Sequence, residues 1–313
     1  MILKSKCSKI CIVSHDAGGA EVLASYIAQN KLECLYVLSG PAIKVFERRL
    51  GIVDSLSLEE GISECEKIMC GTSWQSDLEW RAISLGRIQG KYSIAYLDHW
   101  VNYKERFIRS HNEVIPDEIW VGDKYAEKIA KDIFSKVIIK LVPNPYFIDI
   151  QNKFIEMNHL NIKKSNRLDG VDILFVCEPL SEHGFQEYGD ALHWGYTEHD
   201  AIRYFIKNIK NVFGSGDHKV IVRPHPSESS EKYRWVQKEY PSIAFQDLST
   251  SLVEQVAKSD VVVGCESMAM VVGVLGGKRV ISCIPPSGNT CALPQSEIES
   301  LSEILRMRVE IND

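Results

Sequence analysis

The chain has 313 residues, 45% of them apolar and 25% charged, with a formal charge of −6. That length accommodates two domains with cores of their own. The surplus of acid excludes a broad nucleic-acid footprint and leaves room only for a local basic site, so the expected partner is a small molecule. Nine cysteines are scattered without a Cys-x-x-Cys pair, mostly inside apolar runs, a pattern of buried reduced thiols rather than of disulfides or zinc ligands. No run approaches the ~20 apolar residues of a membrane span. These features describe a cytoplasmic globular protein without a transmembrane segment, and peripheral membrane association stays open.

Short β-branched runs alternate with longer amphipathic stretches from end to end, the pattern of parallel sheets covered by helices. Strands are predicted at 9–14, 34–38, 67–70, 93–97, 118–121 and 137–141, and then at 172–177, 219–222, 260–263 and 279–283. A polar stretch at 158–170 is the predicted linker. The expected architecture is α/β: two doubly wound Rossmann-like domains, at 1–160 and 171–313, facing a central cleft. Ligands of such sheets bind beyond the carboxyl ends of the strands, so the residues following each strand are the ones to inspect.

After the first strand comes Ser14-His15-Asp16-Ala17-Gly18-Gly19, with a helix expected to start near Ala20. Gly18 and Gly19 would permit close approach of a ligand, while His15 and Asp16 would stand on the rim. The sequence Gly71-Thr72-Ser73-Trp74 follows the third strand. Asp98-His99-Trp100-Val101-Asn102-Tyr103 follows the fourth, where Asp98 and His99 form a second acid/base candidate. Trp100 and Tyr103 either stack on a sugar or pack beneath the next helix. Lys104, Arg106 and Arg109 read as a solvated helical stripe.

In the second half, Glu178 ends the first strand and a long polar loop is expected from Ser181 to Tyr188. Trp194, in His193-Trp194-Gly195-Tyr196, is a stacking candidate, and His183, His193 and His199 lack the compact spacing of a zinc site. Arg223-Pro224-His225-Pro226 ends the next strand. Each proline holds the preceding residue extended, so Arg223 and His225 project to the same side as a stiff anion site, or form a simple strand exit. Gly264-Cys265-Glu266-Ser267-Met268 opens a helix whose free N–H groups and positive dipole end suit a phosphate. Ser267 would cap that helix and Glu266 would accept from ribose hydroxyls.

The order strand, Arg-Pro-His-Pro, amphipathic segment, strand, Gly-x-Glu-Ser, helix resembles the nucleotide-binding half of GT-B glycosyltransferases. More narrowly, over about residues 171–285, it is similar to bacterial sialyl-, polysialyl- and Kdo transferases that use CMP-sugars. The resemblance implies that His225 and Ser267 hold the phosphate and cytidine of the donor, and Arg223, Glu266, Met268 and Glu178, at the same strand ends, are expected to complete the nucleotide and phosphate site. It implies further that the first-strand loop supplies the acceptor site or the general base; Gly18 and Gly19 in that loop, with the ring candidates Trp100 and Trp194, are expected on the acceptor or sugar side. The acidic Asp/Glu-Asp/Glu-Gly motif of the sialyltransferases is not intact here. Asp16 and Asp98 therefore stand as alternative bases.

The expected activity is an inverting, metal-independent transfer of a sugar from a nucleotide-sugar donor to a glycan or surface-polysaccharide acceptor, with no cofactor. Two other readings accompany it: a nucleotide-sugar epimerase or hydrolase on the same scaffold, and a non-catalytic nucleotide-binding module.

Overall fold

The computed structural model describes residues 9–73, 76–159, 170–245 and 249–312. The chain forms two compact units, Met1–Asp149 and Ile150–Asp313. The predicted linker falls almost wholly on 160–169, outside the described residues, as does Trp74.

In the first unit the chain runs β1 (Ile10–Ser14), α1 (Ala17–Asn30), β2 (Cys34–Leu38), α2 (Pro41–Leu50), α3 (Leu58–Glu64), β3 (Lys67–Cys70), α4 (Leu78–Ile88) and β4 (Tyr92–Leu97). A short hairpin of β5 (Ile108–Arg109) and β6 (Asn112–Glu113) precedes β7 (Glu118–Val121), α5 (Lys124–Ile133) and β8 (Ile138–Leu141), and α6 (Pro145–His159) begins in this unit and runs on into the second at Ile150. Six strands pair in parallel in the order β2-β1-β3-β4-β7-β8. The second unit contains β9 (Asp172–Val176), α7 (Leu180–Tyr188), α8 (Glu198–Phe213), β10 (Lys219–Arg223), α9 (Arg234–Glu239), β11 (Ala244–Phe245) and α10 (Leu252–Lys258). It continues through β12 (Val261–Gly264), α11 (Met268–Leu275), β13 (Arg279–Ser282), β14 (Ile298–Ser300) and α12 (Leu301–Asn312). Its parallel sheet has the order β11-β10-β9-β12-β13-β14.

Each unit is thus a Rossmann-like α/β domain, as expected. Covering helices on both faces explain why the central strands read as continuous apolar runs: Val261, Val262 and Val263 are all buried. One core gathers Ile12, Leu23, Phe46, Met69 and Tyr96, the other Phe175, Phe205, Val220, Tyr233 and Val263. Strand order reverses between β1 and β3 in the first unit and between β9 and β12 in the second. Those reversals open the crevices where ligands of such sheets bind.

Three expectations need correction. Residues 180–188 are the helix α7, not a polar loop, because Leu180 and Gly184 bury one face of it. The cationic stripe does not exist as a helical face, since only Glu105–Phe107 form a single 3-10 turn before the hairpin. Arg106 and Arg109 turn inward to hold the backbone carbonyls of Thr72, Ser73 and Ser76, while Lys104 is exposed. Helix α1 begins at Ala17, earlier than Ala20, so Gly18 and Gly19 lie in its first turn. Their missing side chains make room for the protein itself rather than for a ligand. A Cβ on Gly18 would meet Asp98 Oδ2 at 2.2 Å, and one on Gly19 would meet the Gly71 Cα at 3.1 Å.

Among the described residues no helix is long and apolar enough to cross a membrane. The contact between Gly19 and Gly71 joins backbone to backbone and has no flexible group to yield. Gly19→Ala is therefore expected to cost about 1–3 kcal/mol of stability, measurable as a lower midpoint in urea denaturation.

Candidate functional site

Two groups of polar residues occupy the strand-end crevices, one in each unit. In the first unit, His15 follows β1 and its Nδ1 lies 2.7 Å from Asp16 Oδ1. Ser73 Oγ donates to the same oxygen at 2.8 Å, bringing the loop after β3 onto the loop after β1. A carboxylate only accepts, so neutral His15 carries its proton on Nδ1 and presents Nε2 as an acceptor. The ring lies against Gly40, where a Cβ would come within 2.5 Å of Nε2. Gly40 has φ +55°, a left-handed conformation that favours glycine, so backbone and packing demand the same residue there.

Beneath this pair lies Glu79, near the start of α4 and only 3% exposed. Its Oε1 accepts the His15 backbone N–H at 2.7 Å, and its Oε2 is buried with no hydrogen-bond partner. Burial pushes the Glu79 carboxyl up to about 7, with the nearby Asp16 charge adding to the rise. Asp98 does not join His15 and Asp16 through a hydrogen bond. Its Oδ1 pairs with Arg106 at 3.1 Å, so its charge is committed to holding the guanidinium that braces Thr72. His99 is held neutral by burial, which outweighs the pull of Asp98, and its Nδ1 accepts the Trp100 N–H at 2.9 Å. Trp100 is no sugar platform. It is 6% exposed, stacks on Phe147 and donates its indole N–H to Asp123 at 2.9 Å. Tyr103 is likewise buried.

In the second unit, Arg223 is the last residue of β10 and donates to the Thr250 carbonyl at 2.9 Å. Beyond it, His225 Nδ1 accepts the Ser227 N–H at 3.2 Å and lies 2.7 Å from Ser227 Oγ. Neutral His225 therefore carries its proton on Nε2 and presents a donor, the opposite tautomer to His15. Burial lowers the His225 pKa and favours that neutral form, Glu228 opposing and His183 reinforcing the shift. Glu228, which the sequence reading did not single out, fixes this turn by accepting the His225 N–H at 3.0 Å.

Across the sheet, Gly264 closes β12 and Ser267 caps α11 as expected, its Oγ accepting the Ala269 N–H at 3.2 Å. Met268 opens the helix and is half-buried. The N–H groups preceding the helix are not free, contrary to expectation. Glu178 Oε1 accepts from Cys265, Glu266 and Ser267 at 3.0, 2.9 and 2.9 Å, so a carboxylate of the chain itself fills the nest. Burial pushes the Glu178 carboxyl up to about 7, against the pull of those N–H groups and with the Glu266 charge adding to it. Glu266 Oε2 accepts the Ala292 N–H at 3.1 Å. Trp194 is packed on the core and edge-on to Tyr188 and His193.

Among the described residues one trio of carboxylates, Glu182, Glu198 and Glu228, has metal-ligand spacing. Lys232 already serves it, with Nζ 2.7 Å from Glu228 Oε1 and ion-paired to the other two. Of the unforeseen residues, Ser73 stood in a motif already noted and Gly40 in the Gly-Pro turn after β2; Glu79, Glu228 and Lys232 carry no local sequence signal.

No protein-family model matches this chain, and no curated protein matches it. Solved structures do. The UDP-GlcNAc 2-epimerase of Methanocaldococcus jannaschii superposes with a TM-score of 0.61 at 10% identity, covering 96% of this chain and 92% of that one. The Neisseria meningitidis UDP-GlcNAc 2-epimerase bound to UDP-GlcNAc gives 0.61 at 10% identity, over 97% and 91%. MurG of Acinetobacter baumannii gives 0.52 at 7% identity, also over 97% and 91%. The fold is of the GT-B type. At these identities the likeness speaks for the fold alone, and the GT-B fold hosts both glycosyl transfer and nucleotide-sugar epimerisation.

The buried acids give a pH dependence with a defined sign. Glu79 and Glu178 hold their protons more tightly in the folded than in the unfolded chain, with folded values near 7 against an ordinary 4.5. The stability each contributes is full below the unfolded value and falls as pH rises from about 4.5 to about 7. Glu79→Gln keeps an acceptor for the His15 N–H and removes the charge. Comparing denaturation at pH 5 and pH 8, it is expected to shrink the loss at the higher pH by up to about 3 kcal/mol.

Proposed function

We propose that this protein transfers a sugar from a nucleotide-sugar donor to a hydroxyl of a glycan or surface polysaccharide, with inversion and without a metal or other cofactor. The observation that carries this reading is the donor that His225 presents beside Arg223 in the second unit, suited to the charge of a departing phosphate; the first unit separately offers an acceptor at His15, oriented by Asp16. His15 Nε2 takes the acceptor proton, and Asp16 stabilises the resulting imidazolium, so Asp16 orients the base rather than being it. The acceptor oxygen attacks the anomeric carbon, and the bond from that carbon to the phosphate oxygen breaks. The departing phosphate receives the electron pair, its charge met by Arg223, the His225 Nε2–H and the Ser267 helix start. In this division of work the first unit serves the acceptor and the second the nucleotide. A CMP-sugar is the favoured donor, on the similarity of the Arg-Pro-His-Pro and Gly-x-Glu-Ser motifs to those of CMP-sugar transferases. The protein acts in the cytoplasm, where nucleotide sugars are available.

The likeness to two UDP-GlcNAc 2-epimerases favours one second reading, epimerisation or hydrolysis of a nucleotide sugar without an acceptor.

A thermal-shift screen against CMP, CDP, UDP and GDP separates the donors, since a selective ligand raises the transition by mass action. CMP alone is expected to do so. Conversion of UDP-GlcNAc with no acceptor present would overturn transfer in favour of epimerisation. His225→Ala should weaken nucleotide binding and turnover together. His15→Ala should leave nucleotide affinity unchanged and lower turnover by about 10²–10⁴-fold; equal turnover in that variant would remove His15 as the base.

A further inference from the structure

Glu178 occupies the crevice at which strand order reverses in the second sheet, since β9, which it follows, lies between β10 and β12. Crevices of this kind take ligands, and three successive N–H groups ahead of a helix make an anion site. Here a single carboxylate oxygen takes all three, from Cys265, Glu266 and Ser267. We infer that Glu178 is a built-in competitor for the phosphate of the nucleotide, holding the nest when no ligand is present and leaving it when one binds. The inference rests on the nucleotide reading of this site.

Two features separate a competitor from a plain structural tie. First, a neutral oxygen from Ser or Asn would satisfy the same N–H groups without putting a charge out of water, yet the chain places a carboxylate there, next to that of Glu266. The resting contact is accordingly costly: despite three donors, the Glu178 proton is held more tightly than in water. Secondly, the contact can open by rotation of one side chain. Glu178 stands only two residues beyond β9, at the turn into α7, so its side chain can swing away without breaking a strand pair of the sheet. A tethered carboxylate competes at an effective concentration of ~1 mM or more, so a phosphate ligand must outbind it before the nest is available. The arrangement discriminates against weak monovalent anions and favours a phosphate that also engages Arg223 and His225.

The test is isothermal titration of CMP, UDP and inorganic pyrophosphate into the wild-type chain, Glu178→Gln and Glu178→Ala. The glutamine retains an acceptor oxygen for the nest and so guards against misfolding, which circular dichroism checks. Removing the charge is expected to tighten binding of the nucleotide that the wild type binds, and of pyrophosphate, by ~10-fold or more in both variants. Wild-type binding that is unchanged or weakened in folded Glu178→Gln would overturn the competitor while leaving the nucleotide reading intact. Binding of no probe to any of the three folded proteins would overturn both.

Discussion

A parallel strand enters each sheet at one edge and leaves at the other, so every crossover returns the chain to the same side before the next strand begins. Loops of one kind, those at the carboxyl ends, are therefore gathered along a single edge of each sheet. The distinctive residues of this protein depend on that constraint. His15 and Asp16 follow β1, Ser73 follows β3, Asp98 follows β4, Glu178 follows β9, His225 follows β10 and Ser267 follows β12. Residues far apart in sequence meet there only because the sheet orders β1 beside β3 and β9 between β10 and β12. The Ser73 hydroxyl on Asp16, 57 positions apart in sequence, is one product of this, and the Glu178 carboxylate on the Ser267 N–H, 89 positions apart, is another.

Hydrogen bonding divides the two histidines into different chemical species without changing the residue. Asp16, which has only lone pairs to offer, forces the proton of His15 onto Nδ1 and leaves a base at Nε2. The Ser227 N–H, which has only a proton to offer, occupies Nδ1 of His225 and leaves a donor at Nε2. Glu79 and Glu228 hold the backbone N–H groups of these same residues, at 2.7 and 3.0 Å, so each imidazole is fixed at both its ring and its main chain. Such rigidity is what proton transfer and charge stabilisation require, because neither tolerates reorganisation at the moment of reaction.

Buried acids are used in two ways. Glu198 and Glu228 share the Lys232 ammonium, and although burial pushes the Glu198 carboxyl up, hydrogen bonds from Lys232 and Ser181 hold it below its ordinary value. Glu79 and Glu178 accept from backbone N–H groups, whose pull burial outweighs in both. The paired acids fasten the second unit together. The unpaired ones lie in the strand-end crevices, where natural proteins tolerate local strain for the sake of chemistry.

The sequence by itself made the long strands of both sheets legible. Ten predicted strands stand within about two residues of their places, because runs such as Val261-Val262-Val263 need burial on both faces and only a covered parallel sheet supplies it. Short pieces without such a run escaped it: the β5–β6 hairpin, β11 and β14. It also identified most of the residues after the strands, since glycine and proline mark those turns through local backbone sterics. Tertiary structure alone decided what each residue there faces. Nothing local announces that Gly18 makes way for Asp98, that Trp100 lies inward on Phe147, or that Arg106 braces a loop instead of meeting solvent. The nest before α11 was legible as an anion site, but its occupant comes from the turn after β9, 87 to 89 positions away, a relation that only strand order sets. Local sterics act between neighbours in sequence and can be read there; hydrogen bonds and burial act between neighbours in space and cannot.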